Sequence, residues 1–296
     1  MGIGPIEGVL NVDKPQGLTS HDVVNQVRRI GGIRRVGHAG TLDPLATGVL
    51  LLCLGRATRL VEYLVGQPKT YEAVIRLGQT TNTYDAEGEV VAEQPVDVRI
   101  DDIMEALPRF RGAIRQRPPL YSAIKKGGRP LYKLARQGIE VEAPLRTVTI
   151  YELQLLSWSA PLLTIRVVCS AGTYIRSLAH DLGQLLGCGG HVAGLRRTAV
   201  GAFKVETAVP PAELSAENLA DFLQPSEAAV QHLPRLDLSA VDAANLQQGQ
   251  HVARQLDQPQ AELVRTYAPA GHFIGVAAAK GPYWRARKMF PPVAGE

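Results

Sequence analysis

Apolar residues recur along the chain with two periods, and the switches between them outline the elements. Residues 8–13 (GVLNVD) read as a short strand, followed by a turn that Pro15 and Gly17 punctuate. Val23, Val24, Val27 and Ile30 share one face at helical spacing, with Thr19 or Ser20 placed to cap and Gly31 and Gly32 placed to stop. A polar, Gly-rich loop spans 34–48. The apolar run Val49 to Leu54 is strand or helix, because a run that short does not distinguish the two periods. Residues 70–77 alternate, with Ala73, Ile75 and Leu77 on one side, as in a half-buried strand. Gly88 marks a turn, Val90 and Val91 start another strand, and Asp101 or Asp102 opens a short helix to Leu107.

Residues 146–156 and 162–169 are strongly β in pattern, and Leu163, Ile165, Val167 and Cys169 face one way. Residues 173–186 predict a helix burying Ile175, Leu178, Leu182 and Leu185, with Gly187 past its end. Pro210, Pro211, Pro225 and Pro234 lead to a tail from about 236. That tail reads as one short helix and three or four strands (262–267, 272–279, 283–290), the spacing of a small β-barrel. The fold class is α+β: a large mixed domain over 1–233, then a small barrel over 236–296.

At 296 residues, with 45% hydrophobic and 20% charged residues, the chain can bury a sizeable core and is not disordered. Its longest purely apolar run, Val49 to Leu54, is far short of the roughly 20 residues a bilayer crossing needs. No secretory signal precedes residue 8, and Cys53, Cys169 and Cys188 form neither a CxxC pair nor a zinc pattern. The expectation is a cytoplasmic protein with no membrane association and no metal.

The net charge of +4 decides little, but its distribution is informative. Nine Lys or Arg residues fall between 109 and 136, Lys125, Lys126 and Arg129 among them, with no acid. Phe110, Tyr121 and Tyr132 are interleaved with them. A solvated surface normally mixes both signs, so this stretch points to a polyanion such as RNA. It reads as an excursion over about 109–146 around one small helix near 132–137. Arg28, Arg29, Arg34, Arg35, Arg196 and Arg197 are further candidates to clamp phosphates.

The segment richest in chemistry is GHAGTLDPLATG, residues 37–48. Its glycines allow close backbone approach, and Pro44 forces Asp43 out of the helical region. On spacing alone the plainer reading, Asp43 as a residue that only caps a turn, stays ahead. Here GHAGTLDPLATGVLLLCLGRATR resembles the catalytic motif of the pseudouridine synthases, specifically the TruB-type tRNA pseudouridine synthases. VDKPQGLTSHDVV, KTYEAVIRLGQTTNTYDAEG, PPLYSAIKKGGRPLYKLARQGIEV, CSAGTYIRSLAHDLG and GCGGHVAGLRRTAVGAF resemble further motifs of that family, in the same order. The resemblance covers about 8–205 and continues weakly into a PUA-like tail.

The resemblance implies a set of roles. Asp43 is the catalytic aspartate, Arg176 pairs with it, and Tyr71 stacks on the target base. His38 helps extrude that base, Tyr174 and Leu195 line the pocket, and Lys14 and Pro15 buttress the active-site loop. Lys125, Lys126 and Arg129 belong to an RNA-gripping thumb. In the tail, Trp284, Arg285, Arg287 and Lys288 form a candidate stem-contacting strand. The implied reaction breaks the N1–C1′ bond of the T-arm uridine (U55) of tRNA, rotates the base and rejoins it through C5. It calls for no cofactor and no obligatory protein partner, and a monomer suffices. The rival reading is a non-catalytic RNA-binding or tRNA-folding protein on the same fold, which charge alone does not separate from the enzyme. A zinc deaminase is disfavoured, since neither H-x-E nor P-C-x-x-C occurs.

Overall fold

The computed structural model describes residues 6–122 and 143–291 and, between them, 125–126, 128–130 and 137. The helix expected near 132–137 falls almost wholly outside the described residues. The chain opens with β1 (Gly8–Lys14), α1 (Ser20–Ile30), β2 (Val36–His38) and β3 (Thr47–Leu54). Thr19 caps α1 in a reciprocal box with Asp22, which satisfies orphan amides of the first turn. The apolar run that allowed helix or strand is strand, because Val49 to Leu54 are buried on both faces of the sheet and alternation is lost. The loop expected over 34–48 contains β2, which pairs with β3 and leaves a shorter connection between them.

Next come α2 (Val61–Val65), β4 (Lys69–Leu77), the β5–β6 hairpin (Gln79–Thr81 and Val90–Glu93) and α3 (Ile100–Ala106). The basic stretch does not leave the fold at once. Its first part is β7 (Gly112–Gln116), which pairs with β10 (Arg146–Ser159), and Lys125–Lys126 (β8) pairs with Arg129–Pro130 (β9). Then follow β11 (Leu162–Cys169), α4 (Ile175–Leu185), β12 (Gly190–Val200), β13 (Phe203–Lys204) and β14 (Leu223–Gln224). One expectation for α4 is corrected: Leu185 is 42% exposed, because it sits at the last turn where the helix leaves the sheet.

The main sheet runs β14-β1-β3-β12-β4-β11-β10-β7. Its pairs are antiparallel except β3 with β12, which is parallel, so the sheet is mixed and mainly antiparallel. At that parallel junction Arg197 lies opposite Gly48, which has φ +99°. A Cβ on Gly48 would stand 2.2 Å from the Arg197 carbonyl oxygen, so only glycine fits. Strands β3 and β12 are thereby pressed together beside the loop that carries Asp43.

The tail contains β15 (Arg235–Asp237), α5 (Ala240–Gln247), β16 (Val252–Ala253), β17 (Leu263–Ala268), β18 (His272–Lys280) and β19 (Tyr283–Met289). Its five strands pair in the order β15-β17-β18-β19-β16 as a curled half-barrel. It has its own apolar cluster around Leu246, Val264 and Trp284, while Val276 and Phe290 pack into a second cluster with Val9, Val49, Leu51 and Val230. Trp284 was expected to touch RNA; instead it is fully buried and its Nε1 donates to Gln258 Oε1 at 2.7 Å. Lys288 forms a partly exposed ion pair with Glu62, 3.1 Å away.

Candidate active site

Asp43 stands in the connection between β2 and β3, where Pro44 keeps its backbone extended. It lines a cleft of about 510 Å³ together with Tyr71, Tyr121, Tyr174, Arg176 and Leu195. These come from the β2–β3 connection, β4, the segment after β7, the start of α4 and β12, elements made neighbours by the sheet order.

Arg176 connects the parts. Its Nε is 3.0 Å from Asp43 Oδ2. That N–H does not aim at the carboxylate oxygen closely enough to be a hydrogen bond, so the contact is ionic. The other guanidinium nitrogens are fixed more tightly. Nη1 donates to Asp85 Oδ2 at 2.9 Å and to the Thr83 carbonyl at 3.0 Å, and Nη2 donates to the Tyr121 carbonyl at 2.9 Å. The Arg176 and Asp85 side chains are 6% and 4% exposed, whereas Asp43 is 39% exposed. The guanidinium is therefore anchored in the interior and presents one edge to a carboxylate that solvent and ligand can reach.

Burial within the cleft pushes the Asp43 carboxyl above the usual carboxylate range. Arg176 pulls it back down, Asp85 raises it further, and Lys14 and Arg197 lower it. Tyr71 is buried, which raises its phenol above its ordinary value, with the Arg197 guanidinium opposing. Burial likewise raises the Tyr174 phenol, opposed by the nearby Ser122 hydroxyl.

The remaining expected residues fall into three groups. Tyr174 caps the start of α4, and Gln116 clamps it, receiving the Tyr174 N–H at 2.8 Å and donating to its carbonyl at 2.9 Å. Leu195 is half-buried on the cleft wall. Lys14 is fully buried outside the cleft, and its Nζ donates to the carbonyls of Pro15, Leu18 and Pro44 at 2.9, 2.7 and 3.4 Å. The β1 turn is thus joined to the residue after Asp43, and desolvation pushes the ammonium down to about 8. Pro15 is exposed on that turn. His38 lies on β2, half-buried and outside the cleft lining, with burial lowering its pKa. Lys125 and Lys126 are placed as backbone, and Arg129 is exposed with its Nη2 bonded to Gln137 Oε1 at 2.6 Å.

Two expected phosphate clamps are corrected. Arg197 is buried and donates to the carbonyls of Val49 (2.7 Å) and Gly40 (3.1 Å), so it holds the loop that carries Asp43. Arg196 makes a paired contact with Asp13 at 2.7 and 3.2 Å. The reading of the residues also passed over Asp85, Gln116 and Lys69. Lys69 lines the cleft and donates to the carbonyls of Val65 and Gln67, and burial lowers its pKa to about 8. Their signal is weak in sequence, since each is one polar residue in an otherwise ordinary strand or turn.

Among proteins of known kind, family models described as "TruB family pseudouridylate synthase (N terminal domain)", "tRNA pseudouridylate synthase B C-terminal domain" and "Pseudouridine synthase II TruB, C-terminal" match residues 28–175, 176–231 and 234–282. The chain is 49% identical over 278 residues to tRNA pseudouridine synthase B of Pseudomonas aeruginosa (strain UCBPP-PA14), covering 92% of this chain and 91% of that protein. The chain belongs to the TruB family of pseudouridine synthases. The namesake from Ralstonia nicotianae (strain ATCC BAA-1114 / GMI1000) is 45% identical over 295 residues, covering 96% and 94%. Among solved structures, a Cbf5–Nop10–Gar1 complex aligns with TM-score 0.75 at 30% identity, covering 96% of this TruB-family chain and 85% of that chain. An H/ACA ribonucleoprotein bound to a substrate RNA containing 2′-deoxyuridine aligns with TM-score 0.74 at 28% identity, with the same coverage. Membership of this family makes the chain an isomerase that forms pseudouridine.

Proposed function

We propose that this enzyme converts the T-arm uridine of tRNA, U55, to pseudouridine, with Asp43 as the catalytic carboxylate. The observation that carries this reading is the Arg176–Asp43 ion pair at the floor of the cleft, with one carboxylate face open. The target base must leave its stack to reach that depth, at a cost of a few kcal/mol that is smallest in a loop. The ionised Asp43 acts on the flipped nucleotide as the nucleophile, forming a bond that breaks again as the product is completed and the carboxylate is regenerated, and it stabilises positive character on the sugar. The N1–C1′ bond breaks, the base turns, C5 bonds to C1′, and the C5 proton is lost while N1 gains one. Atoms and electrons balance without an oxidant, a donor group or a cofactor.

Tyr71 offers its ring as the stacking surface for the base, and Tyr174 and Leu195 bound the pocket. Arg176 keeps the carboxylate aimed, Lys14 supports the loop from beneath, and His38 acts at the strand that leads into it. The thumb residues Lys125, Lys126 and Arg129 contact the phosphate backbone. The chain divides as a catalytic unit over 1–233 and a PUA-like RNA-binding unit over 236–296, and works in the cytoplasm as a monomer on free tRNA. The names of its relatives, each a tRNA pseudouridine synthase B, support tRNA as substrate.

The test is incubation of the protein with an unmodified tRNA transcript, followed by mapping of pseudouridine. Product at position 55 that vanishes when that uridine is replaced by cytidine supports the reading. Product elsewhere, or none, overturns the substrate assignment.

A further inference from the structure

Helix α4 meets the 83–85 turn at two points. Arg176 and His180 are four residues apart on it, so their side chains lie one above the other on the same face. Arg176 bonds the Thr83 carbonyl and the Asp85 carboxylate, the residues on either side of Tyr84. Tyr84 lies flat on His180, with ring centroids 3.9 Å apart and planes 11° from parallel.

The backbone of Tyr84 explains why a ring is needed there. Its φ is +63°, the left-handed region that glycine, asparagine and aspartate occupy far more readily than tyrosine does. The residue is pinned on both sides, its N–H donating to the Thr81 carbonyl at 3.2 Å and its carbonyl accepting from Val192 at 3.0 Å. The φ and ψ of Tyr84 set the directions of the Thr83 carbonyl and the Asp85 side chain together. Relaxing it to an ordinary conformation swings at least one acceptor away from Arg176. The partner ring suits the task, because His180 Nδ1 is buried without a hydrogen-bond partner among the described residues, and burial lowers the imidazole pKa. A neutral ring stacks without bringing a second positive charge beside Arg176. Asp181 and Arg117 lie close enough to act on the Tyr84 phenol.

We propose that Tyr84 and His180 are positioning residues for catalysis, their stack locking the 83–85 turn against α4 so that Arg176 stays aimed at Asp43. This rests on Asp43 and Arg176 being the reacting pair. The experiment measures single-turnover rate at saturating tRNA, RNA dissociation constant and pH–rate profile for Tyr84→Phe, Tyr84→Ala, His180→Phe and His180→Ala. The phenylalanine variants keep a flat ring and are expected within about twofold of the parent. The alanine variants are expected to lose about tenfold or more in rate with nearly unchanged RNA affinity. Their acid limb should also move to higher pH, since Arg176 is what draws the Asp43 carboxyl down. If an alanine variant does not fold, Tyr84→Leu, which keeps an apolar side chain strained at this φ but no flat ring, gives the same readouts. Alanine or leucine variants with parental rate and unshifted acid limb overturn the inference, as do phenylalanine variants as slow as alanine ones. A parent protein inactive on tRNA, or an active Asp43→Asn variant, contradicts the proposed function instead.

Discussion

Arg176 stands between two carboxylates of unlike setting: Asp85, buried and bonded to it at 2.9 Å, and Asp43, partly open and 3.0 Å away without a well-aimed N–H. The buried partner fixes the guanidinium and leaves the open one in the field of a cation without binding it rigidly. A carboxylate that must act on a nucleotide gains ionisation and orientation from this without losing its lone pairs to strong donors.

Asp85 is accordingly structural and electrostatic at once. Replacing it by Ala leaves a buried guanidinium short of a counter-ion, at a cost on the order of 3 kcal/mol in stability. Thermal unfolding of Asp85→Ala checks this, and the rate of conversion should fall well beyond what partial unfolding explains. A variant as stable and as fast as the parent contradicts the anchoring role.

With Asp43 as the proposed catalytic carboxylate, the acid limb of kcat/KM is expected to report its carboxyl. Its pKa is raised, mainly by burial, so the active carboxylate form appears as pH rises through a value above the ordinary carboxylate of about 4. Arg176 acts in the lowering direction, so Arg176→Met should move the limb further up. A limb at or below the ordinary value contradicts the buried setting of the acid.

Lys14 is a buried ammonium tying three carbonyls. Lys14→Met should cost about 2 kcal/mol and lower kcat more than RNA affinity, because the Pro44 carbonyl next to Asp43 loses its donor. The pH sign is specific. The folded-state pKa of about 8 lies below the ordinary 10.5, so between those values the unfolded chain binds more protons. Stability from this group therefore rises with pH across that window. Denaturant unfolding of parent and Lys14→Met at pH 8 and pH 10 measures it; a difference that shrinks with pH contradicts the assignment.

Gly48→Ala tests the strand junction beneath the loop. The new Cβ meets the Arg197 carbonyl at 2.2 Å on a backbone at φ +99°, for a destabilisation of about 3 kcal/mol. A melting temperature equal to the parent's excludes the close approach of β3 and β12.

Elements with clear period were legible in the sequence: β1, α1 with its Thr19 cap, β4 with Ala73, Ile75 and Leu77 inward, and β11. The central strand β3 was ambiguous because burial on both faces erases alternation. The fate of Arg197 and Trp284 was misread, since an arginine bonding carbonyls in the interior, or a tryptophan in the core, has the same letter as one facing RNA, and Arg196 is engaged by Asp13. Asp85 and Gln116 were missed because their value lies in contacts with α4 and its N-terminus, 91 and 58 residues away in sequence. Motifs named most residues that touch the cleft, and Lys14 beneath the loop; packing adds Asp85, Gln116 and Arg197 to those that hold it.

The most direct test is Asp43→Asn, which keeps the side-chain shape and removes the charge beside Arg176. Single-turnover conversion of an unmodified tRNA transcript, with RNA affinity measured in parallel, should show no pseudouridine and binding within several-fold of the parent. Pseudouridine formed at a comparable rate by Asp43→Asn would contradict the assignment of Asp43 as the catalytic carboxylate.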